Sequence, residues 1–243
     1  MLETPQHLRR SKVQATEIKF VWDDWDTEAV EELPDDAFSA SLERISDRAI
    51  LALTTAIAEW IVYRFEPVND DRLPWQFLEA SWAAGAKWAY LAETWDGETE
   101  EEQWRGPVRG VIRAAMMGID EVIYAARLGE RLTYGSCWVN NIALHVLPDP
   151  DTFREWRSRV LQRLTILFPR DPQELIGEVV PREVFELTRE FRISQSELLV
   201  NQFLQTLNYE NNPFLPLPDD LLAAGFEGTP YVFDAVWDRE QRL

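Results

Sequence analysis

The sequence predicts an all-α protein, a multi-helix array of about six to nine helices with an irregular N-terminal arm and a proline-rich C-terminal tail. Three observations carry this. Apolar residues recur at i, i+3, i+4 and i+7 over several long stretches, the period of one helix face. Proline, glycine and capping residues punctuate those stretches where helices start and stop. Strand-type composition is confined to one short segment, "VQATEIKFVW", near the start.

Residues 1–20 carry four bases and two acids and suit a loose arm or a strand. The next segment, "WDDWDTEAVEELPDD" (22–36), has eight acids and no base. Thr27 can cap a short helix there reaching about Leu33, because acids are favoured in a first turn. The expected division is therefore an arm and acidic segment over 1–37 and one helical domain over 38–243.

The first long helix is predicted from Phe38 to Phe65, with Leu42, Ile45, Ala49, Leu53, Ile57 and Ile61 on one face. Pro67 ends it. Pro74 suits the first turn of a second helix, whose stripe continues through Phe77, Leu78, Trp82, Ala86, Ala89 and Tyr90. Thr99 and Glu102 form a capping-box pattern before a third helix over 108–128, with Gly129 as its C-cap. Gly135 and Ser136 are expected as turn and cap of a fourth helix reaching Val146. A fifth spans Asp151 to Phe168, with Arg154, Arg157, Arg159 and Arg163 outward. Shorter helices are expected after Asp171, after Pro181, from Ser194 to about Tyr209, and near Asp219 to Ala224.

Composition narrows function. The 243 residues are 46% apolar and 28% charged, ordinary for a folded protein able to bury a core. One cysteine excludes an internal disulfide framework and fits a reducing compartment. The N-terminus lacks an apolar h-region, and no run approaches 18 apolar residues, so a cytoplasmic location without membrane insertion is expected. Net charge is −19, from 43 acids against 24 bases. Such a chain repels phosphate, so direct nucleic-acid binding is not expected, and it attracts basic partners.

The segment "YGSCW" (134–138) resembles the nucleophile region of papain-like cysteine proteases at Gly135, Ser136, Cys137 and Trp138. The resemblance implies a catalytic thiolate, but three features depart from it. Tyr134 replaces the family's first cysteine, Arg131 replaces the oxyanion-stabilising glutamine, and no histidine follows His145. On one helix, His145 lies roughly 12 Å along the axis from Cys137, far beyond imidazole contact. Cys137 is therefore expected to be buried, with no imidazole in hydrogen-bond reach. With His7 the only other histidine, no zinc or di-iron motif is present. Phosphate-binding loops and Gly-x-Ser-x-Gly elbows are absent from the sequence as well. No catalytic residue, metal or cofactor is assigned.

Two acidic segments studded with tryptophan remain. Trp22, Asp23, Asp24, Trp25, Asp26, Glu28, Glu31 and Glu32 form the first. Asp96, Glu98, Glu100, Glu101, Glu102 and Trp104, with Trp95 before them, form the second. Tryptophan supplies buried area and cation–π contact while carboxylates steer a cationic surface. The expectation is a non-catalytic, acidic protein-binding domain that takes a basic partner, in the manner of an immunity or inhibitor protein neutralising a bacterial toxin. The alternatives are an enzyme or small-molecule binder with an interhelical pocket near Asn140, Asn141 and His145, and a nucleic-acid mimic. The oligomeric state is left open.

Overall fold

The computed structural model describes residues 3–11, 13–31, 35–92, 95 and 101–240, with the side chains of Glu101 and Glu240 left aside. Eleven α-helices and no strand occur among the described residues, with only two isolated bridges, Ile45 to Pro169 and Asp171 to Glu174. In chain order they are α1 (Gln6–Ser11), α2 (Glu28–Glu31), α3 (Asp36–Leu42), α4 (Asp47–Phe65), α5 (Leu73–Ala84), α6 (Gly106–Leu128), α7 (Thr133–Val146), α8 (Pro150–Leu167), α9 (Ser196–Leu204), α10 (Pro218–Ala223) and α11 (Ala235–Glu240). The capping box expected at Thr99 lies outside the described residues.

Helix α4 is the axis of the fold. Every residue from Arg48 to Phe65 is buried, so it is covered all round. Helices α6 and α7 pack on each other and on α4, and α5 closes a further side. The contiguous core includes Trp60, Phe65, Phe77, Ile119, Val139 and Phe153, and it reaches Leu8 and Val13 of the arm and Phe233 near the end.

The single helix predicted over 38–65 is two helices. Ile45 is fully buried, and the chain turns there to start α4 with Ser46 as its cap. The backbone N–H groups of Ser46, Asp47 and Arg48 donate outside the helix, to the carbonyls of Phe168, Leu175 and Ile176. These tertiary partners satisfy the donors that a helix start leaves open, so the break costs little. The same demand explains why no helix follows Asp171. Its carboxylate and carbonyl close a tight turn onto Gln173 and Glu174, and the next two carbonyls serve α4.

Helix α5 stops at Ala84 rather than continuing to Tyr90. Ala86 is buried just past the end of α5, Tyr90 is buried in a separate 3-10 turn (Trp88–Tyr90), and Ala89 is exposed. Helix α6 ends as the sequence indicates, with Gly129 at φ 68°. Gly135 and Ser136 are not a turn and a cap: they lie in the first turn of α7, at its crossing with α6. A Cβ on Gly135 would sit 2.5 Å from the Gly118 carbonyl oxygen, and one on Gly118 would sit 2.5 Å from a Val139 methyl. The two glycines let the helices touch, and the Ser136 hydroxyl is buried against that of Thr54 on α4.

The arginines expected to point outward on α8 divide. Arg154 and Arg159 are exposed, whereas Arg163 reaches inward to the carbonyls of Val184, Glu186 and Arg189. Arg157 bonds Asp35 at 3.1 Å and the Asn140 side chain. Directly after Pro181 a 3-10 turn (Arg182–Phe185) stands in place of an α-helix, a second 3-10 turn (Ile193–Gln195) leads into α9, and α9 ends at Leu204, short of Tyr209. Helix α10 matches the expectation near Asp219, and α11 is additional. Asp234 starts it by accepting from Val236 N and Trp237 N.

Among the described residues up to Phe20 no strand forms, α1 is the one regular element, and Val13 is buried in the core. Helix α1 buries Leu8, and His7 stacks on Trp156 with ring centroids 5.0 Å apart.

Candidate functional site

Residues 21–31 cross the N-terminal end of α6 and lie along α7. Three polar ties hold them to α6 and α7, and a fourth bond lies within the segment. Asp24 accepts from the backbone N–H of Gly106 at 2.7 Å, placing a carboxylate at the start of α6, where the helix dipole favours it. Its other oxygen accepts from Trp22 Nε1 at 2.9 Å. The His145 ring bonds the Val21 carbonyl at 2.7 Å, and Asn141 donates to the Glu31 carbonyl at 2.8 Å. Gly110 makes the close approach possible: a Cβ there would lie 2.1 Å from Asp24 Oδ1.

These ties sort the acidic residues. Trp22 and Asp24 are half-buried and occupied by each other and by α6. Glu31 is buried at 9% exposure. Asp23, Asp26 and Glu28 are exposed, and Trp25 stands out at 79% exposure with the Arg105 guanidinium 4.7 Å from its ring centre. Asp23 accepts from Trp25 N at 2.9 Å, fixing the turn that presents the indole. A cleft of about 120 Å³ runs beside Trp25, lined by Asp24, Glu31 and Arg105 and by Gly110, Arg113 and Met117 of α6.

In the second acidic segment, Glu102 is exposed. Trp104, expected as a surface anchor, is 3% exposed, because it packs edge-on against the fully buried Trp95 at 4.9 Å. Trp95 in turn stands against Phe77 and Phe214, so both indoles are core. Glu32, Asp96, Glu98 and Glu100 lie outside the described residues, as does the side chain of Glu101.

Asn140 and Asn141 are buried and engaged: Asn140 donates to Asn141 and accepts from Arg157. Cys137 is half-buried rather than buried. Burial pushes its thiol up, against a smaller opposing effect of a hydrogen bond with Ser39. That direction is opposite to an activated thiolate. Neither imidazole is hydrogen-bonded to it among the described residues. His145 holds the Val21 carbonyl, and His7 lies against Trp60 and Trp156. No group of three or more His, Cys, Asp or Glu side chains placed to hold a metal occurs among the described residues.

Two buried ion pairs complete the electrostatics. Glu59, 1% exposed on α4, accepts from Trp82 Nε1 at 2.9 Å and Arg182 Nε at 2.7 Å, and Arg182 also donates to the Glu3 carbonyl. Burial alone lowers the guanidinium's proton affinity, yet Glu59 and Tyr63 outweigh it and Arg182 is held charged. Asp238 of α11 accepts two bonds from Arg48 of α4, at 2.8 and 3.1 Å, and one from Lys87 at 2.6 Å. The sequence marks these partners only as charges inside or beside apolar runs, which leaves their pairing unspecified.

Among the described residues no helix is long and apolar enough to cross a membrane. Comparison with known proteins gives no matching family model, no matching curated sequence and no matching solved structure.

Proposed function

We propose that the chain is a non-catalytic binding domain that takes a basic protein partner on the surface built by residues 21–31. The observation that carries this reading is Trp25. It is a large indole, 79% exposed, held in a fixed turn and flanked by the exposed carboxylates of Asp23, Asp26 and Glu28. Exposing so much apolar surface is unfavourable for a free protein, whereas buried tryptophans dominate binding energy at interfaces. The net charge of −19 steers a cationic surface toward it. In its finer form the proposal is an immunity or inhibitor protein that neutralises a basic partner such as a bacterial toxin.

The test is affinity capture from the host cell with three proteins: the unaltered chain, Trp25→Ala, and Asp23→Lys with Asp26→Lys. Asp24 stays unaltered because it holds the segment in place. The reading requires a basic protein that the unaltered chain retains and both variants lose. A partner retained equally by all three removes this surface from the function. Adding duplex DNA tests the mimic alternative, which requires that DNA and the chain compete for one partner.

A further inference from the structure

We infer a small-molecule site in the cleft between α5 and α9, and assign it to an organic cation, a primary ammonium group on an aromatic or aliphatic body. The cleft has a volume of about 430 Å³, within the range of sites that enclose small ligands. Its apolar walls are Trp82 of α5, Leu199 and Phe203 of α9, and Val180 and Pro181 from the chain between the helices.

The walls are set before a ligand arrives. Trp82 Nε1 donates to Glu59 at 2.9 Å, and its ring packs edge-on against Phe185 at 5.5 Å. Glu59 is fixed in turn by Arg182 Nε at 2.7 Å. Trp82 and Val180 are each 7% exposed, and Leu199 and Phe203 are half-buried. Side chains held this firmly have little freedom left to lose on binding.

The charge selects the ligand. The charged residues lining the cleft are Glu3, Glu79, Glu183 and Arg182. The Arg182 guanidinium is neutralised by the buried carboxylate of Glu59 and donates a further bond to the Glu3 carbonyl. Glu3 and Glu183 are exposed, and neither carboxylate enters an ion pair among the described residues. Glu79 is buried, three residues before Trp82 on α5, so carboxylate and indole share one helix face. Water screens a charge less in an apolar cleft than on the open surface. An ammonium is drawn by carboxylates and by aromatic rings, whereas a carboxylate or phosphate ligand meets like charge. The cleft shares no lining residue with the Trp25 surface, so the two inferences stand or fall separately.

The probes are tryptamine, its neutral analogue indole-3-ethanol and its anionic analogue indole-3-propionate. Each is titrated calorimetrically at ~0.15 M salt and about pH 7, where an aliphatic amine is charged. Saturable binding of tryptamine is expected, at least about tenfold tighter than the alcohol, with the propionate weakest. Glu79→Gln should weaken tryptamine at least about fivefold, and Glu3→Gln with Glu183→Gln about threefold, while the alcohol changes little. Phe203→Ala should weaken tryptamine and the alcohol alike, because it removes wall and not charge. That response separates the cleft from a general attraction of amines to an acidic chain. Trp25→Ala should leave all three probes unchanged. Circular dichroism checks each variant, and the exposed pair Glu3 and Glu183 carries the charge test if Glu79→Gln unfolds. Absent saturable binding, equal affinity for the three probes, or a tryptamine affinity indifferent to these carboxylates or to Phe203 overturns the assignment.

Discussion

Replacing Gly135 by alanine sets two effects of known sign against each other. In an isolated helix the change stabilises, since alanine is better than glycine by about 0.8–1.0 kcal/mol. Gly135 lies in α7 where it crosses α6, and an added Cβ would meet Gly118 O at 2.5 Å, a Val122 methyl at 2.9 Å and Val122 N at 3.1 Å. Two of those atoms are backbone of a long packed helix, so relief requires moving α6 away from α7. Both helices also pack on α4, and the displacement would loosen that contact too. Overpacking of this kind costs about 1–3 kcal/mol, and an obstacle made of backbone puts it at the upper end, about 2–3 kcal/mol, which exceeds the propensity gain. The expected net loss is about 1–2 kcal/mol. In a chain of this size that lowers the thermal midpoint by roughly 2–8 °C. Urea unfolding followed by tryptophan fluorescence, with calorimetry for the midpoint, measures it. A Gly135→Ala protein as stable as the parent, or more so, refutes the close approach of α6 and α7.

Four further outcomes are expected. Asp238→Ala leaves Arg48, 4% exposed, with its carboxylate removed, and should cost about 3–5 kcal/mol in chemical denaturation. Gly110→Ala drives a methyl into Asp24 and Trp22; hydrogen exchange over residues 21–31 should rise while the bulk of α6 stays protected. For Glu186, burial pushes the carboxyl up, but the hydrogen bond and charge of His7 and the N–H groups of Gln6 and His7 outweigh it, so the folded value lies below the ordinary 4.5. A depressed carboxylate stabilises the fold above its unfolded value and loses that contribution as pH falls through the folded one. Glu186→Gln should therefore lower stability above about pH 4.5 and converge on the parent at lower pH, which flattens the acid limb of the stability curve. Finally, Cys137 should react with a disulfide reagent at pH 7 much more slowly than a free thiol, and at the free rate once the chain is unfolded, because burial raises its pKa.

The helix class, α6 and the span of α8 were legible because their signals are local. Gly129 ends α6 by its own left-handed backbone, and periodic apolar residues define each buried stripe. What escaped was set by distant partners. The break at Ile45 depends on carbonyls at 168, 175 and 176 that no local pattern announces. Gly135 resembles a turn residue in isolation and becomes a contact residue only when Gly118 faces it. The same holds at the acidic surface. Trp22, Trp25 and Trp104 look alike in sequence, yet only Trp25 is exposed, because Trp104 found an aromatic cluster and Trp22 a partner in Asp24. Helix α11 was not expected, although it carries a local signal: Asp234, an aspartate ahead of a short apolar run.

The bond between Arg48 and Asp238 joins residues 190 positions apart. During synthesis α4 emerges early, whereas the carboxylate of Asp238 that its first guanidinium binds is made only after almost all of the rest. Closure of this ion pair is therefore a late step, and non-local closures of this kind slow folding. The central helix comes early in the chain, and one of the bonds that fixes its beginning comes last.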